Sequence, residues 1–181
     1  MIPKPLVFSI FLAILFLGST SAAIEQAGFC DRIKPCEMLP QSEAEKLLGQ
    51  PARLIMNTSE RRGVVRQCMC GYKGVSVDRD SGQDCALYFS LEQREENPSA
   101  QLAHQVIVST KEANFHDSFV ADLKGIGDEA FLLGNDVHSH LIMARKGAVI
   151  LRLQVKHAVG EKSGDDMRAF AEKVFKQLLK R

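Results

Sequence analysis

The sequence predicts an α+β fold in which an antiparallel β-sheet has helices packed on it. Short stretches of alternating apolar and polar residues are typical of strands, and stretches with helical spacing of apolar residues separate and follow them. Their order is helix, two or three strands, helix, three strands, helix, which is the pattern of an α+β sandwich. The chain has no evident internal repeat or second-domain boundary, so we expect a single domain.

The N-terminal segment has the pattern of a secretory signal peptide. Lys4 supplies a positive charge, residues 6–17 are apolar except for Ser9, and small residues follow. Cleavage after Ala22, or one residue later, satisfies the preference for small residues at the cleavage site. The apolar run is shorter than the roughly 20 residues that cross a bilayer, so we expect cleavage rather than a membrane anchor.

Cys30 follows this segment but does not match a lipid-anchor signal. Phe29 stands where that signal requires a small residue, and Cys30 lies well beyond the apolar run. We therefore expect a soluble exported protein, secreted or periplasmic, with no transmembrane segment in the mature chain. The expected division is a signal peptide at residues 1–22, a loose lead-in at 23–35 and a single α+β domain at 36–181.

The charge balance argues against a nucleic-acid partner. Lys4 is the one charge of the signal peptide, and its removal leaves 22 basic and 22 acidic residues. Nucleic-acid binding depends on neutralising phosphates and needs a basic face. The partners that remain are a protein or a small ligand.

All 5 cysteines lie beyond the signal peptide, and in an oxidising compartment they favour disulfides over metal ligands. Cys68 and Cys70 share one face of a predicted strand, and their parallel side chains are poorly placed to bond with each other. Each should therefore pair elsewhere. The expected pairs are Cys36–Cys70 and Cys68–Cys85, with Cys30 left over and Cys30–Cys85 as the alternative. The odd cysteine gives a route to a disulfide-linked dimer.

Three helices are predicted from their end signals and periodicity. The first has a capping-box pair, Ser42 and Glu45, and a stop at Gly49. The second covers residues 99–113. The third covers residues 165–179, where acidic residues open the helix and basic residues close it, as the helix dipole favours.

The clearest predicted hairpin joins residues 138–144 to residues 148–156 around Gly147. Its two possible registers differ in which side chains of the first strand share a face with the apolar set of the second. A two-residue turn places on that face His138, His140, Ile142 and Ala144. A three-residue loop instead places there Leu141 and Met143. We expect the three-residue loop, because it suits a glycine in its last position and keeps both histidines off the core face.

His138 and His140 are two residues apart, so they share a strand face and could supply two ligands to a metal. The expected register places Arg152 opposite His140, and a fixed cation there disfavours a metal ion by Coulomb repulsion. The sequence does not place a third ligand, for which His116 and Asp136 are the candidates. We therefore expect structural or surface histidines, no metal and no cofactor.

Acidic residues between two predicted strands resemble part of a calcium-binding loop. Asp78, Asp80 and Asp84 accompany Gly82. Counted from Asp78, the fifth position is Gly82 and the twelfth is Phe89, where calcium loops need oxygen ligands. We expect a solvated hairpin loop.

Gly125, Gly127 and Asp128 form a glycine-rich corner before an apolar strand. The functional interpretation is a nest of backbone amides for an anion. The structural interpretation is a tight corner where glycines adopt conformations closed to other residues and Asp128 bonds to backbone amides. A dinucleotide-binding fingerprint needs a third glycine and a following helix, whereas a strand is predicted here. We favour the structural interpretation, under which Gly127→Val lowers stability.

The order of these landmarks resembles a known group. They are Cys36-Glu37-Met38-Leu39, Cys70-Gly71-Tyr72, Gly125 to Phe131, the strand pair around Lys146-Gly147, and the closing Ala/Phe/Leu helix. The chain is similar to small exported bacterial proteins and lipoproteins of unknown function with a PsbP-like α/β sandwich. That resemblance implies an antiparallel sheet with packed helices and a Cys36–Cys70 disulfide, and it implies no catalytic residues. Two features depart from the pattern, the missing lipid-anchor cysteine and the additional Cys68 and Cys85.

The sequence lacks the usual nucleophile-elbow, zinc-protease and phosphate-loop motifs. Our first hypothesis is a non-enzymatic, exported, disulfide-containing domain that binds a protein or a small ligand. The alternative is a metal-binding or hydrolytic enzyme that uses His138 and His140. A third hypothesis is a subunit that dimerises through the odd cysteine.

Overall fold

A computed structural model describes residues 32–77, 82–96, 99–114, 119–136, 139–157 and 163–178. The expected signal peptide, most of the lead-in and Cys30 lie outside these ranges. The elements in chain order are α1 (Pro35–Met38), α2 (Gln41–Leu48), β1 (Ala52–Arg62), β2 (Val65–Val77), β3 (Asp84–Arg94), α3 (Ser99–Ala113), β4 (Phe119–Asp122), β5 (Glu129–Asp136), β6 (Ser139–Lys146), β7 (Val149–Lys156) and α4 (Ser163–Leu178). No helix in these ranges is long and apolar enough to span a membrane.

The strands form a single 7-stranded sheet in the order β1-β2-β3-β7-β6-β5-β4, and every neighbouring pair is antiparallel. This confirms the α+β class that was predicted from the sequence. The first three strands form a meander, and the last four return so that β7 pairs with β3. β1 and β4 are the two edge strands.

Strand β1 is longer than its sequence pattern indicates. The polar run at residues 57–63 predicts a turn after a strand at residues 52–56, but the pairing with β2 continues to Arg62 opposite Val65. The turn itself is at Gly63, whose φ is +62°. An edge strand needs little apolar surface, so polar residues continue its ladder without the usual alternation.

The larger core lies on one face of the sheet, under α1, α2 and α4. Each central strand contributes alternate side chains to it, as the predicted periodicity requires. In β3 these are Cys85, Leu87, Phe89 and Leu91, and in β7 they are Leu151, Leu153 and Val155, all with no exposed surface. Phe89 meets Phe170 of α4 edge to face, with ring centres 5.5 Å apart, a favoured aromatic geometry.

The smaller core lies on the opposite face, under α3. Ala103 and Ile107 of α3 are buried against strands β5, β6 and β7. The strand residues are Phe131, Leu133, Met143 and Ile150. The helical spacing of the apolar residues in α3 was apparent in the sequence, and its buried face agrees with that prediction.

A disulfide ties the first helix to the sheet. Cys36 of α1 is bonded to Cys70 of β2, with their Cα atoms 5.2 Å apart. Two residues further along β2, the Tyr72 hydroxyl donates a hydrogen bond of 3.0 Å to the Leu39 carbonyl. Burial raises the pKa of Tyr72, which keeps this hydroxyl protonated as a donor. The segment around α1 is thus fixed to β2 at two points.

The expected disulfide between Cys68 and Cys85 is not formed. Both are buried thiols in the structure. Cys68 lies opposite Leu91 in the β2–β3 ladder. Cys85 is six residues from Leu91, which is about 20 Å along an extended strand. Disulfides need Cα atoms within about 7 Å, so the register rules this pair out.

The β6–β7 hairpin also differs from the expected register. Lys146 pairs with Val149, which leaves Gly147 and Ala148 as a two-residue turn. Gly147 has φ +56°, as a two-residue turn with glycine first requires. The three-residue loop was therefore wrong, because Gly147 takes its positive φ at the start of the turn rather than at the end. The side chains that share the face of the apolar set of β7 are His140, Ile142 and Ala144.

Helix α2 ends as predicted but begins differently. Gly49 ends it in the left-handed conformation, with φ +68°. The N-cap is Pro40, which makes no side-chain cap, so the capping box of Ser42 and Glu45 is wrong. Instead, the Glu45 carboxylate accepts hydrogen bonds from the Gln41 side chain (2.9 Å) and from the backbone N–H of Ala52 (3.3 Å). It connects α2 to the start of β1.

Replacing Cys36 and Cys70 together by alanine should lower the free energy of unfolding by about 3–4 kcal/mol relative to the oxidised protein, in the chain-entropy account of loop closure. The bridge spans 34 residues, so its loss frees a long loop in the unfolded chain. Urea denaturation monitored by circular dichroism measures the change. Cys36→Ala alone should lower the free energy of unfolding by a similar amount, because a single cysteine cannot close the loop in the unfolded chain. A double variant as stable as the oxidised protein would contradict this.

Candidate functional site

A groove of about 550 Å³ opens between α3 and the strands β4 and β5. Ile107 and Phe131 form its floor and belong to the smaller core, so the groove continues that core towards the surface. Among the described residues, its lining is Ile107, Val108, Lys111, Glu112, Asp122, Glu129, Ala130 and Phe131. The groove therefore combines an apolar interior with charged side chains at its rim.

An ion pair crosses the rim from the helix to the edge strand. Lys111 of α3 bonds through Nζ to Oδ1 of Asp122 of β4. The Lys111 side chain is 36% exposed and the Asp122 side chain 72%, so solvent screens the pair and it contributes little to stability. Glu112 beside it is exposed and forms no ion pair within the part of the chain that the structure describes. The rim thus carries an unbalanced carboxylate.

Glu129, at the start of β5, is the most constrained charge of the groove. Arg145 of β6 donates to it through Nε, and His104 of α3 lies 2.8 Å away through Nδ1. Burial tends to raise the pKa of Glu129, but the hydrogen bonds with Arg145 and His104 outweigh it and hold the pKa below its usual value. Glu129 is therefore a fixed, ionised carboxylate.

This carboxylate is poorly suited to acid–base catalysis. A general base works best with a pKa near the working pH, whereas the pKa of Glu129 is lowered further from it. Its oxygens are also occupied by Arg145 and His104. The lining residues that the structure describes include no serine, threonine or cysteine that could act as a nucleophile. What the groove offers is an apolar surface bordered by fixed charges.

The glycine-rich corner lies beside this groove. Gly125 has φ +83° and Gly127 has φ +63°, a region that favours glycine. A Cβ on Gly127 would overlap the carbonyl oxygen of Arg145, while a Cβ on Gly125 would meet nothing within 4 Å. The next residue, Asp128, donates its N–H to the same Arg145 carbonyl at 2.7 Å. Close backbone contact at Gly127 brings the corner against β6.

The Asp128 side chain caps the β6–β7 turn. Its Oδ2 accepts the N–H of Gly147 at 2.8 Å, and its Oδ1 pairs with Lys146 Nζ at 2.7 Å. The bond with Lys146, followed by that with Gly147, lowers the pKa of Asp128. An anion bound at this corner would lie beside an ionised carboxylate, which would repel it.

Of the two candidate metal-binding histidines, the structure describes His140. His140 lies in β6 opposite Val155, half-buried on the face of the larger core, while His138 is outside the described ranges. The expected position of Arg152 opposite His140 is wrong, because Arg152 pairs with Met143. Among the described residues, no group of three or more His, Cys, Asp or Glu side chains could hold a metal ion. The metal or hydrolase alternative stays an untested prediction.

The proposed solvated loop of acidic residues is also described only in part. Asp78 and Asp80 lie outside the described ranges. Asp84, at the start of β3, accepts a hydrogen bond of 2.6 Å from Lys73 of β2. A lysine ammonium there competes with any cation for this carboxylate.

The groove was not predicted from the sequence. The helical spacing of apolar residues at 99–113 places Ile107 on the apolar face of α3, but the sequence did not predict β4, which is a four-residue edge strand. The pairs Lys111–Asp122 and His104–Glu129 join residues 11 and 25 apart, across loops whose path the sequence does not specify. The helical periodicity of α3 was the one available signal.

Comparisons with known proteins supply no further identification. No protein-family model, no curated protein and no solved structure matches this chain. The α+β class therefore stands on the structure itself, while the PsbP-like type of sandwich stays a prediction.

Comparing Gly125→Ala with Gly127→Ala should separate the cost of backbone strain from the cost of steric overlap. Gly125→Ala should cost about 1–2 kcal/mol, because only its left-handed conformation is unfavourable. Gly127→Ala should cost roughly a further 1–3 kcal/mol, since its Cβ overlaps the Arg145 carbonyl. Gly127→Val should cost still more. Thermal or urea denaturation measures all three, and equal losses for the two alanine variants would refute the close contact.

Protonation of Asp128 in acid should lower the stability of the protein. Its pKa is lowered in the folded state, so its contribution is present at neutral pH and is lost as pH falls below about 4 through the folded-state pKa. Asp128→Asn should therefore be less stable than the wild type at pH 7, and the difference should shrink in acid. Urea denaturation across this pH range measures it. A difference that is constant with pH would contradict an ionised Asp128.

Proposed function

We propose that this protein is an exported, non-enzymatic binding domain that takes an apolar group of a protein or small ligand into the groove between α3, β4 and β5. The observation that carries the proposal is the groove itself, with an apolar floor and charges confined to its rim. Ligand sites are commonly concave and mostly apolar, with a few polar groups that fix orientation. The volume of about 550 Å³ lies within their usual range.

The groove is built on secondary structure rather than on loops. Ile107 and Val108 are on α3, Asp122 is on β4, and Phe131 is on β5. Glu129 is held in place by Arg145 and His104 from neighbouring elements. A ligand therefore meets a surface that is already formed, which reduces the entropic cost of binding.

Export is supported by two independent features. The N-terminal segment has the signal-peptide pattern, and a disulfide joins Cys36 to Cys70. Disulfides persist mainly in oxidising compartments, such as the periplasm or the extracellular space. We therefore propose that the protein acts in one of these compartments.

Titration with the neutral fluorophore aminoanthracene tests the groove. Binding in an apolar site should raise its emission and shift it to the blue. Val108→Glu should weaken binding by at least about tenfold, or roughly 1.4 kcal/mol, because the ligand would bury a carboxylate against the groove. Gln105→Glu adds the same charge to an exposed position of α3 outside the groove lining and should leave binding unchanged.

Both variants should first show wild-type circular dichroism and a cooperative thermal transition. If the wild type does not bind the fluorophore, the groove is not a ligand site. Equal weakening by Val108→Glu and Gln105→Glu would show that charge, and not occupation of the groove, determines binding.

A further inference from the structure

We propose that the ligand of this groove is an extended peptide segment that pairs with the edge strand β4 and inserts apolar side chains beside α3. This inference rests on the proposed function of the groove and specifies its ligand class. The peptide would add an eighth strand to the 7-stranded sheet. Such strand addition combines backbone hydrogen bonds, which give affinity, with side-chain pockets, which give specificity.

The register of β4 shows which of its backbone groups face outward. Leu123 donates its N–H to Ala130 of β5 at 2.9 Å. In an antiparallel pair, hydrogen-bonded positions alternate with non-bonded ones. Counting back from Leu123, Ala121 and Phe119 bond inward to β5. Val120 and Asp122 therefore direct their N–H and C=O groups away from the sheet, where an added strand would pair with them.

Apolar surface lies on both faces of this edge. Val120 packs against the smaller core on the groove side. On the opposite face, Phe119 is 69% exposed, the most exposed large aromatic side chain in the described part of the chain. Alternate side chains of an added strand would enter the groove above Ile107 and cover Phe119. We therefore expect apolar residues at successive positions of the peptide rather than at alternate ones.

The charges of the rim specify one further feature of the peptide. Lys111 and Asp122 neutralise each other, and Arg145 neutralises Glu129. Glu112 is the rim carboxylate without an ion pair among the described residues. A lysine or arginine next to the apolar residues of the peptide would complement it.

The opposite edge of the sheet is protected against strand addition, which distinguishes it from β4. β1 contains a bulge between Leu54 and Met56 and carries four charged side chains. Bulges and charged residues are the usual means by which proteins prevent pairing at an exposed edge. β4 has one charge, Asp122, and Lys111 of the same protein already engages it. Within the described part of the chain, β4 is therefore the edge that remains open to a further strand.

Selection of a phage-displayed random dodecapeptide library on the immobilised wild-type protein, with synthesis of the enriched sequence, tests this inference. The synthetic peptide should displace aminoanthracene. Single N-methylation along the peptide should then weaken binding by about tenfold or more at alternate residues and leave the residues between them nearly unaffected, because only every second N–H faces β4. Isothermal titration calorimetry measures the affinities.

Variants of β4 test the same contact from the protein side. Val120→Pro removes an outward N–H, which the sheet does not use, and should reduce peptide binding by about tenfold or more. Val120→Ala keeps the N–H and should retain most of the affinity. If Val120→Pro does not fold, the N-methylation series still decides, because it leaves the protein unchanged.

The outcomes separate this inference from the proposed function. If aminoanthracene binds but no peptide is enriched, or if the enriched peptide tolerates N-methylation at every position, strand addition is wrong and the groove remains a ligand site. If neither aminoanthracene nor a peptide binds, both proposals fail. A two-residue period in the N-methylation series together with competition for the groove would support both.

Discussion

The ladder between β3 and β7 is the contact on which the rest of the fold depends. It pairs residues 86–93 with residues 149–156 and, among the described strands, is the ladder that joins the first three to the last four. Its alternate side chains form the centre of the larger core, under α4, where Phe89 meets Phe170. Because the partners are distant in sequence, closing this ladder costs more chain entropy than closing the hairpins on either side of it. The Cys36–Cys70 disulfide reinforces the first half and does not cross the join.

The position of α3 follows from this ladder. The helix follows β3 in the middle of the sheet and precedes β4 at its edge, and it crosses the face opposite α4, past β7, β6 and β5. Four strand spacings span about 19 Å, and a helix of 15 residues is about 22 Å long. The helix therefore covers the inner strands and reaches the edge with its last turn, where Lys111 meets Asp122. The groove lies where helix and edge strand meet, so it is a consequence of the connection.

The features that follow from alternating apolar and polar residues were predicted from the sequence. The features that depend on how far along a strand two residues pair were not. Strands that are buried on one face were predictable, because their apolar residues recur at every second position. At the edges, polar residues such as Asn57 and Glu60 continue β1 without that pattern, and β4 is too short to show one. Alternation places Cys68 and Cys85 on the buried face but not at the same level of the ladder. A glycine such as Gly147 can occupy the first position of a two-residue turn or the last position of a three-residue loop. Its presence alone therefore does not specify the register of the hairpin.

Arg145 connects the glycine corner to the groove. Its carbonyl accepts the N–H of Asp128 at the point where Gly127 allows close approach, and its guanidinium bonds to Glu129 at the rim of the groove. The backbone contact positions β6 against the corner, and the side chain then holds the groove carboxylate ionised. A side chain at Gly127 would displace the Arg145 backbone and with it the partner of Glu129. The corner, which the sequence marks by its glycines, thus has a structural role that extends to the binding surface without being a binding site itself.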